Sequence, residues 1–188
     1  MSLLFNTRRH RSVYTSSMVI RIFLALSSLV CLAQPPSAEA QKEAMKKVSF
    51  LTGKWAGDAT VQRGPGGPLK IRQSEDIQFR LDGLVLIIEG TGRDVDSGKV
   101  VFNAFAVVSY DDVKMEYRIR AYNDGRQVEA QLEVTERGFA WGFQSGPAAV
   151  RNVMKLNEKG EWAETTTVKV GDRPEFTSVR MLLKRTAE

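Results

Sequence analysis

The chain contains one cysteine and one histidine in 188 residues, Cys31 and His10, and both fall in its first stretch of sequence. Everything from Gln41 onward lacks both, and a series of mechanisms goes with them. Without imidazole or thiolate there is no serine triad, no cysteine nucleophile, no ordinary zinc site and no His or Cys ligand for haem iron. A disulfide scaffold is excluded for the same reason. Phosphate loops of the G-x-x-x-x-G-K type, and G-x-G-x-x-G opening a helix, are missing as well. The formal charge is only +5, and Arg8, Arg9, Arg11 and Arg21 contribute to that excess from the N-terminal stretch. No clustered basic stripe remains to mark a nucleic-acid partner. What is left is carboxylate, lysine or tyrosine chemistry, or a hard cation held by oxygen.

Long apolar runs are scarce too. The one that stands out, Ile22 to Ala33, is interrupted only by Ser27 and Ser28. Twelve helical residues rise about 18 Å, short of the roughly 30 Å hydrocarbon layer, so the run fits the core of a signal peptide and not a membrane span. Pro35 and Pro36 follow, then Ala38, Glu39 and Ala40, with small residues at the two positions a signal peptidase reads. The expected leader is residues 1–40, with cleavage before Gln41 and export to the periplasm or the medium. Counting from Met18 gives a signal of ordinary length with Arg21 as its charged start, so Met18 is a second candidate for the true start. Cys31 follows Val30 rather than a small residue, which argues against a lipid anchor.

From Gln41 to Leu51, Ala44, Met45, Val48 and Leu51 recur at helical spacing among lysines and Glu43, which predicts one short helix. Beyond it the pattern alternates. Trp55, Gly57, Ala59 and Val61 share one parity against Lys54, Asp58, Thr60 and Gln62, and Ile71, Gln73, Glu75, Ile77 and Phe79 do the same against Lys70, Arg72, Asp76 and Arg80. Further strands are expected over Leu84 to Ile88, Lys99 to Tyr110, Lys114 to Tyr122, Gln127 to Thr135, Gly138 to Ser145, Ala148 to Asn157, Glu161 to Val170 and Phe176 to Arg185. Turn chemistry separates them, such as Asn123-Asp124-Gly125 and Gly171-Asp172-Arg173-Pro174. About ten strands with no room for crossover helices pair antiparallel with their neighbours, and such a meander removes its edges by closing into a barrel. An open sandwich is the alternative.

Gly53, Lys54 and Trp55, placed after a short helix and at the start of the first strand, resemble the G-x-W signature of lipocalins and related calycins. Phrases such as FLTGKWAGDATV and LDGLVLIIEGTG extend the resemblance to a family of bacterial lipocalin-like barrels to which no activity is attached. The resemblance implies an all-β, closed, up-and-down antiparallel barrel with a short N-terminal helix. It also implies that Trp55 closes one end, with an arginine of the last strand across its indole. Arg185 has the parity of Val179, Met181 and Leu183 and fills that role. Related nitrobindin-type barrels bind haem through a histidine. This chain has none after its leader, so no cofactor and no metal are expected.

The informative residues are polar ones on apolar faces. Gln73 and Glu75, Glu164 with Thr166, and Asn152 between Val150 and Met154 all have inward parity. A buried carboxylate must be paired, hydrated or protonated, and Arg63 and Arg185 are the candidate partners. Glu89 and Asn103 lie in runs apolar on both faces and join the set without a readable parity. Tyr117 shares a face with Met115 and Ile119, and Trp141 with Phe139 and Phe143, as core or as a platform for a flat ligand. Arg118 and Arg120 read as solvated; turned inward with Tyr122 they would form a carboxylate-binding cluster. The candidate cavity lining is therefore Gln73, Glu75, Glu89, Asn103, Tyr117, Trp141, Asn152 and Glu164, with Gly53, Trp55 and Arg185 closing the barrel. The expectation is an exported, non-enzymatic barrel holding a small, partly apolar molecule. The alternative is a structural envelope protein with a filled interior.

Overall fold

A computed structural model describes residues 35–62 and 66–186. Ten strands form a closed antiparallel barrel: β1 (Gly53–Val61), β2 (Leu69–Arg80), β3 (Val85–Asp94), β4 (Val100–Asp111), β5 (Glu116–Asn123), β6 (Arg126–Thr135), β7 (Gly138–Ser145), β8 (Ala148–Leu156), β9 (Trp162–Val170) and β10 (Phe176–Arg185). Each strand pairs with its sequence neighbour, and β10 returns to β1 with Trp55 opposite Arg185 and Val61 opposite Val179. The closed barrel expected from the alternation is thus the observed fold, and the open sandwich is not. Arg63 and the leader lie outside the described residues. Among the described residues, no helix is long and apolar enough to cross a membrane.

The single expected helix is two elements. An α-helix, α1 (Ala38–Met45), starts three residues before Gln41, capped by Ser37, whose hydroxyl accepts from the Ala40 N–H. It tightens into a 3-10 helix over Lys46–Leu51. A 3-10 helix has three residues per turn, so Met45, Val48 and Leu51, three apart, fall on one face, and all three are fully buried. That face plugs one end of the barrel. Ser37 N–H and Gln41 Nε2 both donate to Asp112 in the β4–β5 turn, at 2.6 and 2.8 Å, and fix the segment across the mouth.

Below the plug, Trp55, Trp162, Leu86, Val108, Met154 and Leu183 form the core, each at most 2% exposed. Trp55 and Trp162 meet edge to face at 5.6 Å, Phe139 meets Trp162 at 5.9 Å, and the Trp55 indole N–H donates to the Leu51 carbonyl at 2.8 Å. The Arg185 guanidinium sits 4.2 Å from the Trp55 ring centre and donates to the carbonyls of Phe50 and Thr52. Gly53 explains the glycine of the signature. Its φ is +110°, and a Cβ there would lie 2.8 Å from the Arg185 guanidinium, so any other residue would strain the backbone and displace the arginine.

Candidate ligand-binding lumen

The inward positions of the strands' other halves carry the polar residues. On β2, Gln73 and Glu75 are 2% and 8% exposed, and Gln73 Nε2 donates to Glu75 Oε1 at 2.8 Å. Space for them comes from β3. Glu75 is registered opposite Gly90 and Gln73 opposite Gly92. A Cβ on Gly90 would lie 2.7 Å from Glu75 Oε2, and one on Gly92 2.6 Å from Gln73 Oε1. The two glycines form a trough in which the neighbouring polar side chains lie.

Glu164 and Thr166 come from β9 and Asn152 from β8. The Trp162 indole N–H donates to Glu164 Oε2 at 2.8 Å, and the Thr166 hydroxyl donates to Asn152 Oδ1 at 2.7 Å. Trp141 is registered beside Asn152 and stacks on Phe143, with ring centres 5.6 Å apart and an angle of 24°. Among the described residues, Glu75 Oε2, Glu164 Oε1 and Asn152 Nδ2 have no hydrogen-bond partner. No described side-chain nitrogen or oxygen is both fully buried and unbonded, so these three atoms border open space.

The three residues occupy inward positions of the barrel wall, in register with Trp55 and Gly90, with Met154 and Met181, and with Trp141 and Thr166. Inward-facing Trp141, Phe143, Val150, Glu164, Thr166 and Val168 all retain accessible surface, whereas the core around Trp55 retains almost none. Glu164 is half-buried and keeps part of its surface accessible. The carboxyls carry the electrostatic signature of this setting. Burial pushes Glu75 up to about 8, against the Gln73 hydrogen bond and with help from the charge on Glu164. Burial lifts Glu164 to about 6, against the Trp162 N–H, which favours its charged form.

Several expectations need correction. Glu89 is exposed on the outer face opposite Asp76, and Asn103 is exposed on the outer face opposite Thr91, so neither lines the interior. The outer positions of β3 and β4 are also apolar, as at Val85, Ile87, Phe105 and Val107, which hid the alternation. Tyr117 points inward, but its hydroxyl donates to the Ala44 carbonyl at 2.6 Å and its ring meets Tyr110 edge to face at 4.8 Å. It belongs to the plugged end and not to the polar lumen. Arg185 is no partner for a buried carboxylate, because its donors go to Phe50, Thr52 and the face of Trp55. Arg118 and Arg120 face outward and pair with Glu116 and Glu129, so the inward arginine cluster does not form. Gln73, Glu75, Trp141, Asn152 and Glu164 are the expected lining residues that the fold gathers. Gly90 and Gly92 were not anticipated, although glycines at alternate positions opposite two inward polar residues are a readable sign once the register is known.

No protein-family model matches the sequence, and no curated protein matches it. Solved structures do match in shape. The chain is similar to Rv2717c from M. tuberculosis, at 13% identity and a TM-score of 0.59, over 77% of this chain and 98% of that one. It is also similar to the S-type phycobiliprotein lyase CPES from Guillardia theta, at 12% identity and a TM-score of 0.52, over 82% of this chain and 99% of that one. These likenesses are of fold, and with the ten-strand barrel they make the chain calycin-like.

Proposed function

We propose that this protein is an exported barrel of the bacterial lipocalin-like kind whose lumen holds one small, partly apolar molecule. The observation that carries the reading is the set of unpartnered polar atoms on Glu75, Glu164 and Asn152 facing open space beside Trp141. A filled scaffold gains nothing from buried carboxyls without partners, and burying them costs stability. An interior that is apolar on one side, with a few converging polar groups on the other, is the usual make-up of a ligand site. Among the described residues the inward hydrogen bonds join Gln73 to Glu75, Trp162 to Glu164 and Thr166 to Asn152, which supports a binding role. The fold shared with a lyase carries no activity to this chain.

Native mass spectrometry of the protein purified from its own host tests this. A stoichiometric co-purifying mass is expected, and its loss in Glu75→Ala would place it in the lumen. A bare protein mass that stays bare in the presence of apolar probe dyes would favour the packed scaffold. Export is checked on the same sample by N-terminal sequencing, with Gln41 expected first. A chain starting at Met1, or one lipidated at Cys31, would overturn that part.

A further inference from the structure

We infer that the lumen is a site for a small organic cation, a protonated amine on a flat apolar body, with the nitrogen directed at Glu75 and Glu164 and the body lying against Trp141 and Phe143. This rests on the ligand-binding role proposed above and specifies the chemistry of what is bound.

Charge comes first. The residues registered on either side of Glu75 are Trp55 and Gly90, and those beside Glu164 are Met154 and Met181. None of the four titrates, so no basic side chain is registered directly beside either carboxyl, and the Arg185 guanidinium on β10 is spent on Phe50, Thr52 and Trp55. The charge of Glu164 raises the pKa of Glu75, which places the two within electrostatic reach. An anionic ligand would add negative charge beside Glu164, and a neutral one would leave that charge uncompensated. A protonated amine supplies up to three donors and a compensating charge.

The free atoms agree. Glu75 is only 8% exposed, yet its Oε2 has no protein donor. Glu164 Oε1 likewise accepts from no described residue. A bare metal ion is a poorer fit, because hard cations take six or more oxygens and the described residues contain no group of three or more His, Cys, Asp or Glu able to hold one. The stacked pair of Trp141 and Phe143 points instead to an organic body, since aromatic faces attract cations and pack flat apolar groups.

At neutral pH Glu75 holds its proton. A cation that binds it favours the carboxylate, and the proton leaves to solvent.

Three probes of one shape decide the matter: 1-naphthylmethylamine, 1-naphthylmethanol and 1-naphthoate, titrated into the purified protein by calorimetry in two buffers of different ionisation enthalpy. The amine should bind at least tenfold more tightly than the alcohol, with net proton release at neutral pH, and the acid should bind most weakly. In the double variant Glu75→Gln with Glu164→Gln the preference should vanish while the alcohol still binds, and Glu164→Gln alone should reduce it part of the way. Circular dichroism confirms that each variant is folded. Equal binding of amine and alcohol, or tighter binding of the acid, overturns the cation assignment and leaves the lumen a ligand site. If none of the three binds, the assignment also falls. In that event a co-purifying mass in the native spectrum preserves the ligand-binding role, and a bare spectrum ends both.

Discussion

At the plugged end of the barrel, Met45, Val48, Leu51, Leu86, Met154 and Leu183 show no exposure at all, and the Trp55 indole N–H and the Tyr117 hydroxyl both donate to backbone carbonyls. In the other half, the inward positions hold two carboxyls without a basic partner, and aromatic rings that keep accessible surface. One sheet builds both, with the same alternation and the same turns. The difference therefore lies in side chains and not in architecture. The plug and the tryptophans supply stability, and the polar half spends some of it on a property that packing does not need.

The sharpest way to break this comparison is at the plugged end. Trp55→Ala should destabilise by about 3–5 kcal/mol, as truncation of a buried tryptophan does. Arg185→Ala should cost less, and the two should couple by roughly 0.5–2 kcal/mol because the guanidinium stacks on the indole. Denaturant melts of both single variants and the double variant measure the coupling. Strict additivity would show that the stacking contributes nothing.

In the polar half, Gly90→Ala should cost about 1–3 kcal/mol, because the new methyl falls on the Glu75 carboxyl. Unlike a plug variant, it should be rescued by a shorter neighbour, so the melt of Gly90→Ala with Glu75→Ala is the informative one. A double variant no better than Gly90→Ala alone would mean that the trough does not serve Glu75.

The two halves should also differ in their response to pH. In the fold, burial raises the pKa of Glu75 to about 8 and that of Glu164 to about 6, above the ordinary carboxyl value of 4.5. Stability from them is fully present below the unfolded value. It is then lost as pH rises through the folded ones, by about 1.4 kcal/mol per unit for each group still protonated in the fold. The protein should melt at a higher temperature near about pH 5 than near about pH 8. Glu75→Gln should flatten most of that slope, whereas Trp55→Ala should lower the curve and keep its shape. A slope unchanged in Glu75→Gln would place the titration elsewhere.

The smallest effect belongs to Tyr117→Phe, which removes the bond to the Ala44 carbonyl and should cost about 1 kcal/mol. Hydrogen exchange localises it. Faster exchange confined to α1 is expected, with the amides of β2 and β9 unchanged.

The sequence made the barrel legible because most strands have one dry face, and the turns between them carry glycine, asparagine and aspartate. Gly53, Trp55 and Arg185 were legible as a set because the resemblance to the G-x-W signature calls for an arginine on the last strand, and the parity of that strand reaches Arg185. Gln73, Glu75, Asn152 and Glu164 could be found the same way, as polar residues among apolar ones at period two. The residues misplaced were those where parity carries no information. Glu89 and Asn103 sit in β3 and β4, where Phe105 and Tyr122 meet on the outside, with ring centres 6.3 Å apart, and make the wet face look dry. The start of α1 was hidden by a different overlap, since Ala38, Glu39 and Ala40 serve as its first turn and also spell a peptidase site. The trough formed by Gly90 and Gly92 depends on register between strands, which no single strand reveals.

The pairing of β1 with β10 has a consequence for the order in which the chain can be made. Synthesis delivers β1 early and β2 soon after, but the second edge of β1 stays bare until residues 176–185 have left the ribosome. Arg185 bonds to Thr52 across 133 positions, so closure is the most non-local event in the fold and is expected among the slowest. Every nascent or truncated form that lacks β10 presents two open strand edges, on β1 and β9, and these are templates for a neighbouring chain. The ten-residue β10 is therefore the step that turns an adhesive ribbon into a barrel without open edges.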